Sequence, residues 1–176
     1  MKTLITGGIR SGKSDYAESL FADLDSVTYI ATGAVPEASD ADWSARIAAH
    51  RAGRPTAWTT IETTDLPTAL NEATGPVLID SLGTWLTARL DALAAWDAPE
   101  EKWGLELRTE VTELVAALRS GVDIALVSEE VGMSVVSSNR AGRVFADWLG
   151  RINQEVATVC DRVVLVVAGQ PLVVKG

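Results

Sequence analysis

The sequence contains few of the residues that mark secreted or membrane proteins. Its 176 residues include one cysteine, Cys160, and one histidine, His50. A single cysteine cannot form an intrachain disulfide, so we expect a reducing compartment. The longest apolar run, residues 163–168, is far shorter than a membrane span, and residues 3–6 are too short for the apolar part of a signal peptide. We therefore expect a cytoplasmic protein with no membrane partner.

Positive charge is also scarce. The chain has 15 Lys and Arg against 24 Asp and Glu, which gives a net charge of -9 at pH 7. Broad nucleic-acid binding needs a basic surface, so we expect no nucleic-acid partner. Apolar residues make up 47% and charged residues 22%, the balance of an ordinary globular protein. The length suits one compact domain, and we predict a single domain over residues 1–176.

Short apolar runs alternate with longer helical patterns along the chain. The runs at residues 3–5, 27–31, 57–61, 77–80, 124–128 and 163–167 predict strands, and a last run at 172–174, just after Pro171, predicts an edge strand. Apolar spacings of three and four predict helices over 103–118 and 145–159, and residues 14–24 and those from Ser81 onward are also read as helical. This alternation predicts an α/β fold with a mostly parallel sheet and helices on both faces.

Residues 7–14 match the phosphate-binding pattern G-x-x-x-x-G-K-[ST]. The segment consists of Gly7, Gly8, Ile9, Arg10, Ser11, Gly12, Lys13 and Ser14. It follows a predicted strand and precedes a predicted helix, so its backbone N–H groups would form a concave anion site. Lys13 would reach the β- and γ-phosphates, and the Ser14 hydroxyl would ligate Mg²⁺. The pattern predicts a P-loop that binds a nucleoside triphosphate.

Carboxylates follow two of the other predicted strands. Asp80 ends the run 77–80 and is expected to hold the metal ion, directly or through water. It could instead, or in addition, be the N-cap of the helix that begins near Ser81. Glu129 and Glu130 would lie at the same carboxyl edge of the sheet, where open α/β sheets bind ligands. Both a role in the site and an ordinary solvated position remain open for these two residues.

The single histidine is surrounded by arginines in sequence. Arg46, Arg51 and Arg54 flank His50, and Gly53 with Pro55 predicts a helix end. One interpretation is a partly buried histidine beside a solvated basic turn. The other is a polyphosphate site in which nearby positive charge keeps the imidazole neutral and nucleophilic, able to form a phosphoramidate with phosphorus. The residues alone do not decide between them.

The motifs together resemble a known family. The residues that carry the resemblance are the loop 7–14 with Ala17-Glu18, the segment 29–32 (YIAT), the block RIxxHRxxRPxxWxTxE over 46–62, Glu130-Val131-Gly132, the segment 143–154, and the ending 166–172. In this order they resemble the bifunctional adenosylcobinamide kinase/adenosylcobinamide-phosphate guanylyltransferases of cobalamin assembly. The resemblance spans nearly the whole chain.

The resemblance implies a fold, two activities and a site. Such enzymes phosphorylate adenosylcobinamide with a nucleoside triphosphate, ATP or GTP, and then transfer GMP from GTP to the phosphate, giving adenosylcobinamide-GDP. It implies a RecA-like P-loop NTPase fold, a Mg²⁺ ion and a homotrimer. His50 would carry GMP as a phosphoramidate, with Lys13 as a second catalytic residue. Besides the loop, the nucleotide site would include Ala31, Thr32, Gly33, Arg51, Ala52, Gly53, Arg54, Glu62 and Asp80.

The chain also departs from the family pattern. The family often has D-x-E-M where this chain has Asp40-Ala41-Asp42-Trp43, a cysteine where this chain has Ser81, an asparagine where it has Glu129, and a proline where it has Ser137. Two other functions are considered: a P-loop kinase of a single activity, in which His50 only binds or supports, and a RecA-type ATPase that acts as a motor or on DNA. The acidic net charge disfavours the second of these.

Overall fold

The computed structural model describes residues 1–33 and 56–176. Its strands are β1 (Lys2–Gly7), β2 (Thr28–Ala31), β3 (Thr59–Glu62), β4 (Val77–Asp80), β5 (Ile124–Glu129), β6 (Arg162–Val167) and β7 (Gln170–Lys175). Its helices are α1 (Lys13–Ser19), α2 (Leu66–Glu72), α3 (Leu82–Ala92), α4 (Gly104–Ala117) and α5 (Arg140–Val159), with a short 3₁₀-helix at Glu100–Lys102. Within these residues no helix combines the length and apolar character that crossing a membrane requires.

The seven strands form one sheet in the order β3-β2-β4-β5-β1-β6-β7. All neighbours are parallel except β6 and β7, which pair antiparallel. The predicted mostly parallel sheet is therefore confirmed. The final strand lies at the edge as expected, and Pro171, which has no N–H to donate to a ladder, is its second residue.

Alternate residues of the central strands face two separate apolar layers. Leu4 and Leu126 belong to the layer beneath α2 to α5, whereas Ile5 and Val127 belong to the layer beneath α1. This period of two is the geometry of a strand that is covered on both faces, and it explains why the apolar residues of these strands are consecutive in the sequence. The predicted cover of helices on both faces is confirmed.

Two predicted helices differ in their limits. The regular part of α1 ends at Ser19 rather than near residue 24, and turns follow it. Helix α5 begins at Arg140 rather than near 145, because the Asn139 side chain accepts a hydrogen bond from the Gly142 N–H (2.6 Å) and caps it.

Candidate nucleotide-binding site

The loop between β1 and α1 is held in a curved shape by its own backbone. The Ser11 N–H donates to the Gly8 carbonyl (3.2 Å), and Arg10 and Gly12 both have positive φ, 56° and 90°. A turn that contains left-handed residues can direct N–H groups toward one side and so form a concavity for an anion. A Cβ on Gly7 would lie 2.5 Å from Ser11 Oγ, so the loop folds this closely only over a glycine. The loop predicted to bind phosphate is therefore a tight turn that closes over Gly7, and its contacts with phosphate stay a prediction.

The turn between β6 and β7 supports the loop from the other side. The Gly169 N–H donates to the Ser11 carbonyl at 2.7 Å, and a Cβ on Gly12 would lie 3.1 Å from the Gly169 Cα. Gly169 itself has φ 76°, a left-handed conformation that favours glycine. Sequence reasoning assigned no role to this turn. Its signal was the glycine near the end of the chain, but only the fold brings it against the phosphate loop.

The Ser11 hydroxyl is an unsatisfied polar group within the loop. Ser11 Oγ is buried and has no hydrogen-bond partner among the described residues. A buried hydroxyl without a partner costs free energy, and a phosphate oxygen in the loop would remove that cost. Together with the close cradle at Gly7, this fits a bound polyphosphate.

The Lys13 side chain lies across the loop toward the neighbouring strand. Its Nζ donates to the Gly8 carbonyl at 3.4 Å and lies 4.0 Å from Oε1 of Glu129. The side chain is only 12% exposed, so it is already directed into the site and not into solvent. Glu129 ends β5, which lies directly beside β1, with Gly7 opposite Glu129 in the register. The structure brings Lys13 and Glu129 together, which the sequence left open.

Asp80 ends β4, on the far side of β5 from the loop. Its Oδ2 accepts a hydrogen bond from the Tyr29 hydroxyl at 2.5 Å, which leaves Oδ1 available for a cation or water. The alternative that Asp80 caps the next helix is wrong, because the N-cap of α3 is Ser81, whose side chain accepts from the Thr84 N–H. Within the described residues no group of three His, Cys, Asp or Glu side chains could hold a metal ion alone.

Thr32 ties β2 to the start of α3. It is fully buried, and its hydroxyl donates to the Ser81 carbonyl (2.6 Å) and accepts from the Ser81 N–H (3.1 Å). The hydroxyl of Thr32, a predicted nucleotide contact, is thus already hydrogen-bonded within the protein. Ala31 and Gly33 flank it and are partly exposed at the same edge.

The predicted contacts form a row along the carboxyl edge of the sheet. Glu62 ends β3, opposite Ala31 in the register, and β3 is four strands from β1. At about 4.8 Å between neighbouring strands, the row from the loop to Glu62 is about 19 Å long. An elongated ligand laid along this edge would meet the loop, Asp80 and Glu62 in that order.

The predicted nucleophile lies outside the described residues. His50 and its neighbours Arg51, Ala52, Gly53 and Arg54 fall within 34–55, as does the helix end predicted at Gly53 and Pro55. Their roles stay predictions. The described chain resumes at residue 56, immediately before β3 and Glu62.

Comparison with known proteins points to one family. The chain matches the family described as "Cobinamide kinase / cobinamide phosphate guanyltransferase" over residues 3–174. It is 38% identical to the "Bifunctional adenosylcobalamin biosynthesis protein CobU" of Salmonella typhimurium, covering 99% of this chain and 100% of the relative. It is 39% identical to the "Bifunctional adenosylcobalamin biosynthesis protein CobP" of Pseudomonas aeruginosa, covering 100% of this chain and 98% of that protein.

A solved structure supports the fold independently. A type III secretion system ATPase aligns with a TM-score of 0.58 at 13% identity, covering 93% of this chain and 50% of that one. At this identity the likeness shows the fold alone, and it agrees with the predicted P-loop NTPase fold of RecA-like type.

Proposed function

Because the chain belongs to the cobinamide kinase/cobinamide phosphate guanyltransferase family, we propose that it phosphorylates adenosylcobinamide and then guanylylates the product. The first step uses ATP or GTP, and the second transfers GMP from GTP to give adenosylcobinamide-GDP. The observation that carries the proposal is the assembled phosphate loop, with Lys13 already directed across it. Family membership alone would not show that this chain still has a loop able to bind phosphate.

The phosphate loop supplies binding and charge stabilisation. Backbone N–H groups of residues 8–13, apart from that of Ser11, which is bonded to the Gly8 carbonyl, would surround the phosphates. Lys13 would move its ammonium from the Gly8 carbonyl to the β- and γ-oxygens. In the kinase step, charge develops on the transferred phosphoryl oxygens and on the leaving diphosphate. A preorganised cation at that position stabilises the transition state more than the ground state.

A magnesium ion fits the open oxygens at the edge. Ser14, at the second position of α1, and Oδ1 of Asp80 would hold it together with phosphate oxygens. When bound, the ion would neutralise charge on the β- and γ-phosphates. The Tyr29 hydroxyl keeps the Asp80 carboxylate oriented by occupying its other oxygen.

The guanylyl step is proposed to run through His50. A neutral imidazole nitrogen would attack the α-phosphorus of GTP, forming an N–P bond as the bond to the β-phosphate oxygen breaks and pyrophosphate leaves. An oxygen of adenosylcobinamide phosphate would then attack the same phosphorus and break the N–P bond. Arg51 and Arg54 would stabilise charge on the α-phosphoryl oxygens. We also propose that the protein is cytoplasmic and that its 18.7 kDa chains form a homotrimer, whose mass light scattering would measure.

Labelled GTP tests the kinase step and the guanylyl step separately. With GTP labelled at the α-phosphorus, wild type should acquire label that is lost in acid and kept in base, as a phosphoramidate requires. His50→Ala should lose this label but keep nucleotide binding and transfer of the γ-phosphate. Lys13→Ala should lose both. Wild type without label, or undiminished label on His50→Ala, would exclude the covalent step and leave a kinase of a single activity.

A further inference from the structure

Glu129 occupies the position between the two predicted phosphate-site elements. It ends β5, which lies between β1 with the phosphate loop and β4 with Asp80. In the register Glu129 is opposite Gly7, one strand spacing of about 5 Å from the start of the loop. No other described side chain forms an ion pair with Lys13, and the separation of 4.0 Å exceeds a direct hydrogen bond. The carboxylate therefore faces the place where the terminal phosphate would lie.

Neighbouring residues hold the Glu129 side chain in one position. The Ser81 hydroxyl donates to Glu129 Oε2 at 3.4 Å, and Gly83 lacks the Cβ that would lie 2.0 Å from the same oxygen. The backbone is held too, because the Asn153 amide donates to the Glu129 carbonyl (3.1 Å) while its oxygen accepts from Ser128 (2.6 Å). One carboxylate oxygen is thus bound to the protein and the other, Oε1, is directed at the site.

A carboxylate beside a triphosphate requires a proton or a cation between them. Two anionic groups that lie close together repel each other unless a cation or a hydrogen-bond donor intervenes. Asp80 is placed to take the metal role and is oriented for it by Tyr29. Lys13 is the present neighbour of Glu129 Oε1, at 4.0 Å, and its ammonium would turn to the phosphates when the nucleotide binds. Oε1 would then be free to accept a hydrogen bond from a donor that approaches the γ-phosphorus, and in a kinase that donor is the hydroxyl of the acceptor.

We propose that Glu129 binds the acceptor hydroxyl through Oε1 and takes its proton in the kinase step; this rests on the proposed kinase activity. The hydroxyl oxygen attacks the γ-phosphorus and forms the new O–P bond. The bond between the γ-phosphorus and the bridging oxygen breaks, and its electron pair stays on the departing diphosphate. The hydroxyl proton moves to Glu129 Oε1 and is later released to water.

The test compares Glu129→Gln with Glu130→Gln in single-turnover transfer from γ-labelled GTP to adenosylcobinamide. Glutamine keeps the shape and the Ser81 contact but cannot accept the proton. General-base catalysis contributes about 10² to 10⁴-fold, so transfer by Glu129→Gln should fall by at least about 10²-fold. Glu130 is the matched neighbour, since its carboxylate is engaged by the Gly132 N–H at 2.8 Å, and Glu130→Gln should stay within about threefold of wild type.

Nucleotide and metal affinity distinguish this role from others. Removing a negative charge beside the phosphates should leave GTP binding by Glu129→Gln unchanged or tighter, whereas structural damage would weaken it. Mn²⁺ affinity of the GTP complex should be unchanged. A tenfold loss of Mn²⁺ affinity would make Glu129 a metal ligand and overturn the proposal, as would unchanged transfer or a larger loss in Glu130→Gln. If wild type transfers no γ-phosphate, both the proposed kinase activity and the proposal for Glu129 are wrong. If wild type transfers γ-phosphate but acquires no label from α-labelled GTP, only the covalent guanylyl step is wrong and the proposal for Glu129 stands.

Discussion

Replacing Gly7 with alanine should destabilise the protein through one identifiable clash. The new Cβ would lie 2.6 Å from the Val166 carbonyl oxygen and 2.5 Å from Ser11 Oγ, both far inside van der Waals contact. The carbonyl belongs to β6 and cannot retreat easily, because Gly7 is paired on both sides, with Val166 and with Glu129. Overpacking of this kind costs about 1 to 3 kcal/mol.

Gly8→Ala is the matched control for this prediction. A Cβ on Gly8 meets nothing within 4 Å, so it creates no clash in the nucleotide-free protein. Both substitutions reduce the entropy of the unfolded chain by the same amount, about 0.4 to 1 kcal/mol, so that contribution cancels in the comparison. The difference between the two variants therefore measures the clash alone.

Thermal and urea unfolding without nucleotide would measure the difference. For a domain of this size 1 kcal/mol corresponds to about 2 to 4 °C, so Gly7→Ala should melt roughly 2 to 12 °C below Gly8→Ala. GTP affinity of Gly7→Ala should fall as well, because the displaced Ser11 lies inside the phosphate loop. Equal melting temperatures for the two variants would refute the close approach of β1, β6 and the loop.

Three further predictions concern other contacts. Burial raises the pKa of Cys160 from its ordinary 9.0 to about 11, so the native thiol should resist alkylation at pH 8. Stability that depends on the protonated thiol is complete below pH 9 and is lost, by up to about 3 kcal/mol, as pH rises toward 11; Cys160→Ala should unfold without that pH slope. Glu110→Gln, which removes the charge partner of the Arg89 guanidinium (2.7 Å from its Nε), should cost about 1 kcal/mol in urea unfolding, and an unchanged midpoint would show that the ion pair contributes nothing. Gly83→Ala should displace the Glu129 carboxylate and slow γ-phosphate transfer while GTP binding persists. Unaltered transfer would contradict the close packing of the Glu129 carboxylate against Gly83.

The parts of the fold carried by local signals were predictable from the sequence. Consecutive apolar residues predicted the buried strands, and the loop pattern predicted the turn from β1 into α1. The start of α5 was placed too late because apolar spacing is weak in its first turn. The cap at Asn139 was a better signal, since a polar residue of this type often precedes a helix.

The missing parts of the site depend on strand order, which local patterns do not encode. Glu129 faces Lys13 only because β5 lies between β1 and β4, although it follows β4 in the chain. Gly169 supports Ser11 only because β7 turns back antiparallel on β6. Such contacts join residues far apart in sequence, so charge and glycine content could suggest these residues but could not pair them.

The Asn153 bonds also shape the surroundings of the site. These two hydrogen bonds attach α5 to the end of β5 at Asn153. Thirteen residues of the helix, from Arg140 to Ile152, precede Asn153 in the chain. At 1.5 Å per residue these extend about 20 Å, while the remainder of α5 returns to the opposite edge where β6 begins. The far end is anchored by Arg140, whose guanidinium binds the Ala95 carbonyl at 3.1 Å. Helix α5 is therefore held to the rest of the protein at two points, one at its first residue and one beside the end of β5, so its first thirteen residues are fixed at both ends.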